Sequence, residues 1–503
     1  MANLYESLEV ASRDPDRPFA SLPDGRVITY GDLDQLSGRY ANAIRQCDVK
    51  PGDRVAIQVE KCIEMLLIYL ACLRMGAVFL PLNPAYTLGE LEHILVDATP
   101  SLLVCTPAIA AEMSAKGLAS GQRLETLDSS GGGSLPALAG SSPAQFETLP
   151  LDDDALAAIL YTSGTTGRPK GAMLTHDNLA SNAFALRESW AYDAGDVLLH
   201  ALPIFHTHGL FVGTNITLAT GASMIFLPRF AIDEVLGALP RATVMMGVPT
   251  FYIRLLGEPA FDRAAAAGMR LFVSGSAPLS ADVHREFATR TGHAILERYG
   301  MTETNMNTSN PYDGERRAGT VGFPLPGVRV RITDIQSGTP LPAGEVGMIE
   351  IAGPNVFKGY WNMPERTAEE FRDGYFISGD LGLFDRDGYL SIVGRNKDLI
   401  ISGGFNVYPA EVEAALDELP EVRESAVIGV PHPDLGEGVV AVVAPRDSQF
   451  RDPSSLLAAL ADRLARFKQP RRIVLVDELP RNAMGKIQKA ALRELHAAIF
   501  DQA

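Results

Sequence analysis

Cysteine is scarce in this sequence, which has four cysteines among 503 residues. All of them lie in the first quarter of the chain, and no two form a C-x-x-C pair; they are Cys47, Cys62, Cys72 and Cys105. A disulfide scaffold and a structural zinc site are therefore both disfavoured. The pattern is typical of reduced thiols, and we expect a cytoplasmic protein.

The sequence also lacks a segment for secretion or for crossing a membrane. Its N-terminal stretch, MANLYESLEVASRDPDRP, carries acidic residues early and has no apolar core, so it does not resemble a signal peptide. The most hydrophobic stretch, Cys62–Leu73, is too short to span a bilayer and is bounded by Lys61 and Arg74. We therefore predict a soluble protein, with a buried helix at this stretch and a strand at Ala77–Leu82.

Positive charge is in deficit, with 44 Lys and Arg against 61 Asp and Glu and a formal net charge of −17 at pH 7. Binding to duplex nucleic acid needs a broad basic face, because it proceeds by the release of counterions from the phosphates. The charge balance therefore argues against nucleic acid as a partner. It leaves small anionic ligands open, since these need only a local group of donors.

Length and composition predict a globular protein of at least two domains, with 46% hydrophobic and 21% charged residues. Up to about residue 330, helical stretches alternate with short apolar runs, which predict parallel strands covered on both faces. These runs are Arg54–Val59, Leu102–Cys105, Ala157–Tyr161, Met224–Leu227 and Leu271–Val273. The Gly- and Ser-rich stretch Leu118–Ser142 is predicted to be surface loop or weak structure.

Further along, the runs VRVRITD, GMIEIAG and GYLSIVG predict a small antiparallel β region. A boundary follows near residues 387–395, and the tail has its own alternation, with predicted helices at Glu411–Leu419 and Pro453–Phe467. We predict an α/β protein whose large, multi-subdomain N-terminal domain, residues 1–393, contains mixed or parallel sheets plus the β region. A small, mobile C-terminal α+β domain would take residues 394–503.

The densest chemical signal is the segment Tyr161–Gly171, which reads YTSGTTGRPKG. An apolar strand runs directly into a loop of glycines and hydroxyl residues that leads to Lys170. Glycines let backbone N–H groups approach phosphate oxygens, hydroxyls donate further hydrogen bonds, and the lysine supplies a positive charge. The common P-loop has Gly directly before its lysine and Ser or Thr after it, whereas Pro169 and Gly171 stand here. We interpret the segment as a phosphate-binding loop of another kind rather than as a plain surface turn.

Five later segments are each common as a turn or a loop end, but their joint order and spacing are specific. They are Gly275–Leu279 (GSAPL), Glu297–Glu303 (ERYGMTE), Ser378–Asp380 (SGD), Gly394–Asp398 (GRNKD) and Pro480–Lys486 (PRNAMGK). Together with the phosphate loop, they resemble the acyl-adenylate-forming superfamily, which contains acyl-CoA synthetases, luciferases and the adenylation domains of peptide synthetases. The resemblance covers nearly the whole chain, from Tyr30 to Lys486, and implies an ATP-dependent acid–thiol ligase.

The resemblance implies a role for each matching residue. The residues that would hold the β- and γ-phosphates of ATP are Thr162, Ser163, Gly164, Thr165, Thr166, Gly167 and Lys170. Those that would flank the adenine are Gly275, Ser276, Ala277, Arg298 and Tyr299, and Gly300 and Met301 would also belong to the cofactor-binding site. Thr302 would contact the α-phosphate, and Glu303, with Thr166, would hold Mg²⁺. The ribose hydroxyls would bind Asp380 and Arg395, and Lys486 would bridge the incoming carboxylate and the α-phosphate.

The role of Lys486 has a physical basis. When a carboxylate oxygen attacks the α-phosphorus, two anions approach each other and negative charge builds on the equatorial oxygens. A magnesium ion and a lysine at that point stabilise the transition state, and no general base is needed because the nucleophile is already ionised. We expect this lysine to be exposed when the small domain moves away. Acetylation there, by a lysine acetyltransferase and reversed by a deacetylase, should silence the enzyme because it removes the charge.

Coenzyme A is implied as the acyl acceptor. The resemblance places a hinge just after Arg395, about which the small domain would rotate to expose another face. Gly403 and Gly404 would then line the pantetheine channel, where the lack of side chains suits a narrow tunnel; a plain β-turn is the alternative interpretation. The weak candidates for the coenzyme A 3′-phosphate are Lys468, Arg471 and Arg472.

Two segments are candidates for the acyl pocket, His206–Leu210 and Thr304–Asn310. The second is almost entirely polar, which favours a small polar acid over a fatty acid. A second carboxylate on the substrate would require a cation, since a buried unpaired charge costs several kcal/mol. Arg285 on the predicted helix Ala281–Thr289 is the candidate, with a solvent-exposed helical arginine as an equal alternative.

The two pocket segments are similar to the malonyl-CoA synthetase family in particular. That resemblance implies malonate as the acid, with Arg285 on its distal carboxylate and with Thr207 and Met306 limiting the size of the pocket. His206 would form part of the pocket wall. Metal binding by His206 and His208 is disfavoured, because no third ligand lies at a suitable spacing.

Three alternatives stay open. One is an acyl-CoA synthetase for another short or substituted acid, such as methylmalonate, acetate or an aryl acid. Another is a non-enzymatic acyl or nucleotide sensor of the same fold, which the presence of both Lys486 and Glu303 disfavours. The third is a carrier-loading adenylation domain, disfavoured because the sequence ends at Ala503 without a carrier module.

Overall fold

A computed structural model describes residues 3–117, 122–152, 154–162, 169–403, 405–461, 463–482 and 485–500 of the chain. In chain order, the α-helices of this part are α1 (Leu4–Ser7), α2 (Tyr30–Gln46), α3 (Ile63–Met75), α4 (Leu88–Ala98), α5 (Pro107–Ala115), α6 (Ser134–Ser141), α7 (His176–Ser189), α8 (Asn215–Thr220), α9 (Ile232–Ala238), α10 (Pro249–Leu256), α11 (Ala281–Thr291), α12 (Pro364–Glu369), α13 (Pro409–Asp417), α14 (Pro453–Ala461) and α15 (Lys489–His496). No helix among the described residues is both long enough and apolar enough to cross a membrane.

The strands form four sheets. In chain order they are β1 (Pro18–Ser21), β2 (Val27–Thr29), β3 (Arg54–Gln58), β4 (Val78–Pro81), β5 (Leu102–Cys105), β6 (Arg123–Thr126), β7 (Leu156–Thr162), β8 (Lys170–Thr175), β9 (Val197–His200), β10 (Ser223–Phe226), β11 (Val244–Gly247), β12 (Leu271–Ser274), β13 (Leu296–Met301), β14 (Asn305–Ser309), β15 (Phe323–Pro324), β16 (Arg329–Thr333), β17 (Gly347–Ala352), β18 (Gly359–Tyr360), β19 (Phe371–Arg372), β20 (Tyr375–Phe384), β21 (Leu390–Arg395), β22 (Ile400–Ser402), β23 (Phe405–Val407), β24 (Val422–His432), β25 (Gly436–Pro445) and β26 (Arg472–Leu475).

A seven-stranded sheet carries the phosphate loop. Its strand order is β18-β8-β7-β4-β3-β5-β6, and the strands from β7 to β6 are parallel to one another. Strands β4 and β5 are buried at every residue. This is what continuous apolar runs predict for parallel strands covered on both faces. Strand β8 returns antiparallel to β7, so the phosphate loop joins two neighbouring strands.

A nine-stranded sheet brings together the later segments. Its order is β15-β14-β13-β12-β11-β9-β10-β1-β2, and the strands from β13 to β1 are parallel. The carboxyl ends of β9, β12 and β13 therefore lie at one edge of this sheet, where ligands of such folds bind. Gly275 directly follows β12 and Thr302 directly follows β13 at that edge.

The predicted antiparallel β region is confirmed. Strands β16, β17, β20 and β19 form an antiparallel sheet in that order, and β21 adds to β20. Asp380 on β20 lies directly opposite Arg395 on β21. The register of this hairpin therefore brings together the two residues implied for the ribose.

The C-terminal residues form a small α+β unit with its own sheet, β23-β22-β25-β24, in which β26 pairs with β25. Two hydrophobic clusters stabilise it, and all of their members lie at Ile400 or later. Strand β21 ends at Arg395 and β22 begins at Ile400, so the connection contains only the short turn Asn396–Asp398 and one further residue. The division between residues 393 and 394 stays a prediction.

Two local predictions are wrong. The described part of Leu118–Ser142 contains strand β6 and helix α6 instead of loop alone. Strand β6 is an edge strand formed by pairing with the main chain of β5, and its partly exposed side chains give little sequence signal. The helix predicted at Pro453–Phe467 ends at Ala461.

Candidate active site

The phosphate loop connects Thr162, the last residue of β7, to Lys170, the first residue of β8. These two residues are paired across the hairpin. The predicted phosphate-binding residues Ser163, Gly164, Thr165, Thr166 and Gly167 lie outside the described residues. The two described ends of the hairpin therefore fix where the loop starts and ends. The binding of phosphate by the loop residues stays a prediction.

Lys170 is held inside the cleft by two partners. Its Nζ lies 4.2 Å from the ring centroid of Tyr360 and 3.7 Å from a carboxylate oxygen of Glu370. The Lys170 side chain is 11% exposed, so the ammonium group is largely withdrawn from bulk solvent. Neither partner has a sequence signal that links it to the phosphate loop.

Glu303 is the carboxylate implied for Mg²⁺, and it is buried in the same region. Its Oε1 accepts a hydrogen bond from the Tyr360 hydroxyl at 3.0 Å. Burial raises the pKa of Glu303, while that hydrogen bond and the charges of Lys170 and Arg395 act against the rise. No group of three or more metal-ligating side chains occurs in the described part of the chain. A single carboxylate fits Mg²⁺, which proteins commonly hold through one or two carboxylates together with substrate phosphates.

The candidate ribose site is formed by Asp380 with two partners. Its carboxylate accepts a hydrogen bond from the Tyr299 hydroxyl at 2.6 Å and forms a 3.0 Å ion pair with Arg395 Nε. The amide N–H of Asp380 donates to the Ser378 hydroxyl at 3.0 Å. The charge of Asp380 raises the pKa of Arg395, so the guanidinium stays protonated near neutral pH. The carboxylate keeps acceptor capacity for sugar hydroxyls.

Two glycines lie at the edge of the nine-stranded sheet that is predicted to bind adenine. A Cβ at Gly275 would overlap the Arg298 guanidinium, and one at Gly300 would overlap the carbonyl of Asn305. Ser276 adopts a left-handed φ of +72°, which is uncommon outside glycine. Gly275, Ser276, Ala277, Met301 and Thr302 all follow or end strands at this edge of the nine-stranded sheet.

Arg298 is the most constrained charge in the cleft. Its side chain is buried, with the residue 4% exposed, and its Nε and Nη2 have no hydrogen-bond partner among the described residues. Burial lowers the pKa of Arg298 to about 9, and the neighbouring Tyr252 acts against that shift. Its neighbour Glu297 lies on the other face of β13, because side chains alternate along a strand. Arg298 is therefore a buried cation that lacks an anionic partner in this part of the structure.

Two histidines share the surroundings of Arg298. Burial lowers the pKa of His206 to about 4 and that of His208 well below its usual value, and the Arg298 charge contributes to both shifts. Both imidazoles are therefore neutral at pH 7. His208 Nδ1 lies 3.3 Å from the Ser276 hydroxyl, which connects the His206–Leu210 segment to the loop after β12.

Thr207 and Met306 are both buried. The Thr207 hydroxyl has no hydrogen-bond partner among the described residues. The Met306 side chain fills the space next to Gly300, where a Cβ would meet its sulfur at 2.9 Å. Their positions agree with the size-limiting role implied by the resemblance, which itself stays a prediction.

The end of the polar run Thr304–Asn310 is used inside the fold. The amide of Asn310 donates to the carbonyls of Glu297 and Thr320 at 3.2 and 2.8 Å. The Ser309 hydroxyl accepts the Trp190 indole N–H at 2.9 Å. The Thr304 hydroxyl, the Asn305 Oδ1 and the Asn307 Nδ2 are buried and have no hydrogen-bond partner among the described residues, so this part of the run keeps polar atoms for a ligand.

The structure does not bring Arg285 into the cleft. Its side chain is 59% exposed and forms an ion pair with Asp282 on the same helix, α11. The buried face of α11 carries His284, Phe287 and Thr291, and the position after His284 is turned about 100° from that face. The alternative interpretation, a solvent-exposed helical arginine, describes this geometry.

Lys486 reaches the cleft from the small domain. A Cβ on the preceding Gly485 would lie 3.2 Å from the Thr250 hydroxyl of α10, so this loop docks against the large domain. Lys486 has an exposed surface. Burial of its ammonium group nevertheless lowers the pKa of Lys486 to about 8, and the positive charge of Arg395 lowers it further. The charge of Lys486 in turn lowers the pKa of His206. Lys486 is therefore close to the ribose pair and to the pocket wall.

Gly403 lies at the tip of the β22–β23 hairpin, with a left-handed φ of +59°. Its N–H donates to the Leu435 carbonyl at 2.9 Å, and the flanking side chains of Ile401 and Phe405 are more than half exposed. Gly404 lies outside the described residues. The exposed apolar hairpin leaves a surface for a second partner, and the channel role stays a prediction.

Comparisons with known proteins cover nearly the whole chain. The AMP-binding enzyme family matches residues 8–361, and the AMP-binding enzyme C-terminal domain matches residues 411–486. A feruloyl-CoA synthase of an Amycolatopsis species is 40% identical over 473 residues, which cover 93% of this chain and 94% of that protein. A malonate–CoA ligase of Arabidopsis thaliana is 35% identical over 541 residues, covering 96% of this chain and 87% of that protein. ATP-bound MatB from Rhodopseudomonas palustris matches in structure with a TM-score of 0.97 and 53% identity, covering 99% of this chain and 100% of that chain.

Proposed function

This chain belongs to the AMP-binding enzyme family, and from that premise we propose that it joins malonate to coenzyme A. The reaction uses ATP, passes through malonyl-adenylate, and releases pyrophosphate and then AMP. The similarity to a malonate–CoA ligase and to an ATP-bound relative supports this assignment.

The observation that carries the choice of malonate is the buried guanidinium of Arg298. A buried cation without a partner is costly, and a ligand carboxylate that pairs with it removes that cost. A monocarboxylic acid must present its single carboxylate to the α-phosphate and has nothing left for Arg298. A short dicarboxylic acid satisfies both ends of the pocket. We therefore assign the distal carboxylate to Arg298, which the resemblance had placed at the adenine. Arg285 is set aside, because its side chain is exposed and paired with Asp282.

In the first half-reaction, a malonate oxygen forms a bond to the α-phosphorus and the bond to pyrophosphate breaks. Lys486 stabilises the negative charge that builds on the oxygens of the α-phosphate, and Lys170 attracts the leaving pyrophosphate. Glu303 would hold Mg²⁺, which supplies further positive charge at the phosphates. Asp380 and Arg395 hold the ribose, so the nucleotide is oriented before the reaction begins.

In the second half-reaction, the sulfur of coenzyme A bonds to the acyl carbon, AMP leaves, and the thiol proton passes to solvent. Lys486 and its loop would obstruct the thiol in the arrangement described here. Rotation after Arg395 would remove them and bring Gly403 to the channel. The short connection between β21 and β22 supports a hinge at that place.

Two further parts of the proposal concern the setting of the enzyme. We place it in the cytoplasm, in agreement with four unpaired and buried cysteines. We also propose Lys486 as a target of a lysine acetyltransferase, because its side chain keeps an exposed surface even in the docked arrangement.

An aryl acid is the second candidate substrate, favoured by the 40% identity to a feruloyl-CoA synthase. A panel of malonate, methylmalonate, acetate and ferulate in an AMP-release assay separates the candidates. We expect malonate to have the highest kcat/KM and methylmalonate to follow. Preference for ferulate or acetate would overturn the assignment to malonate, while leaving ATP-dependent ligation intact.

A further inference from the structure

Tyr360 lies between the carboxylate proposed for magnesium and the lysine proposed for the phosphates. We propose that it is a positioning residue that holds Glu303 and Lys170 in place for a magnesium-bound triphosphate. This inference rests on the proposed function as far as ATP binding, and it does not depend on the identity of the acid.

The hydroxyl of Tyr360 orients the carboxylate. It donates to Glu303 Oε1 at 3.0 Å, so the hydroxyl does not occupy Oε2. The backbone of Glu303 is fixed as well, since its carbonyl accepts the Phe357 N–H at 2.8 Å. Partners of this kind behind a metal ligand set its orientation, and their loss commonly lowers metal affinity by 10- to 100-fold.

The ring of Tyr360 contacts the ammonium group of Lys170. Lys170 Nζ lies 4.2 Å from the ring centroid, within the range of a cation–π interaction. Glu370 attracts the same ammonium at 3.7 Å and is itself held by Arg366 at 2.5 Å. One side chain thus contacts both the carboxylate and the lysine, and Glu370 competes with a phosphate for that lysine.

The local fold explains why Tyr360 reaches this place. Strand β18 pairs antiparallel with β8, so that Tyr360 lies opposite Ala172, two positions after Lys170. The Tyr360 N–H donates to the Thr367 hydroxyl at 2.9 Å, and the Trp361 N–H donates to the Gly171 carbonyl at 2.7 Å. The ring is therefore anchored through its own backbone on both sides.

The test is nucleotide binding by calorimetry over a series of Mg²⁺ concentrations, with a non-hydrolysable ATP analogue and the full chain. Tyr360→Phe keeps the ring and removes only the hydroxyl. We expect the Mg²⁺ concentration for half-maximal tight binding to rise about tenfold. Affinity for the analogue without Mg²⁺ should change less than twofold. Tyr389→Phe is the matched control, because it removes a 2.8 Å hydroxyl bond to the Glu315 carbonyl.

A second variant separates the ring from the hydroxyl. Tyr360→Leu should weaken analogue binding even without Mg²⁺, because Lys170 loses its aromatic partner. If Tyr360→Phe and Tyr389→Phe behave alike in the Mg²⁺ series, the positioning role is refuted. It is also refuted if Tyr360→Phe weakens binding equally with and without Mg²⁺, since that result indicates a structural role only. A failure of the malonate assignment would appear in the acid panel and leave this Mg²⁺ series unchanged.

Discussion

Replacing Arg298 with methionine removes the guanidinium and keeps an unbranched side chain of similar length beside Gly275. In the free enzyme this change should be neutral or stabilising. The reason is that a buried cation with two unpaired N–H donors among the described residues is exchanged for an apolar group. We therefore expect the melting temperature of Arg298→Met to be equal to or above that of the wild type.

The effect on malonate should be large. A distal carboxylate that is bound in the same buried place would lose its partner, and such a loss costs about 2–5 kcal/mol. Expressed as kcat/KM, this is a decrease of roughly 30- to 5,000-fold. Acetate has no distal carboxylate, so its kcat/KM should change by less than about threefold.

The assay is AMP release with malonate and with acetate, each measured for the wild type, Arg298→Met and Arg285→Ala. Arg285→Ala is the matched control, because it removes an arginine that is 59% exposed and paired with Asp282. We expect the malonate-to-acetate ratio to collapse for Arg298→Met and to stay constant for Arg285→Ala. A constant ratio for Arg298→Met would refute the reasoning, and a collapse for Arg285→Ala alone would restore the original sequence prediction.

Four further outcomes are expected. Lys486→Ala should nearly abolish pyrophosphate exchange while still converting synthetic malonyl-adenylate and coenzyme A, and equal loss in both half-reactions would contradict this division. The pKa of Lys486 is lowered to about 8, and adenylation requires the charged form. In the exchange assay, kcat/KM for ATP should therefore fall as the pH rises through 8. A flat profile between pH 7 and 9 would contradict the requirement for a charged Lys486. Gly403→Leu should leave exchange largely intact and block thioester synthesis by filling the channel, and a parallel fall in exchange would show that the channel assignment is wrong. Thr207→Gly combined with Met306→Ile should raise kcat/KM for methylmalonate relative to malonate at unchanged KM for ATP, because both side chains are buried and are expected to limit the pocket; an unchanged ratio would place the size limit elsewhere.

Much of the fold was predictable because its signals are local. The strands Leu102–Cys105 and Leu271–Val273 were read from short apolar runs, and the structure has them at β5 and within β12. Such runs are hydrophobic on both faces because parallel strands between helices are buried on both faces. The edge strand Arg123–Thr126 was missed, since its pairing with β5 depends on a neighbour and not on its own side chains.

The sequence by itself determined the family and the order of the nucleotide-binding segments, because glycine, hydroxyl and lysine residues at fixed spacing have few other uses. Only the tertiary structure distinguished the two candidate cations. Arg285 and Arg298 are the same residue type, but helix α11 exposes the first to solvent. Strand β13 buries the second, whose Nε and Nη2 have no partner among the described residues. Only the tertiary structure brought Tyr360 to Glu303, 57 positions away along the chain. Long-range contacts of this kind follow from sheet order and register, which no local pattern of residues encodes.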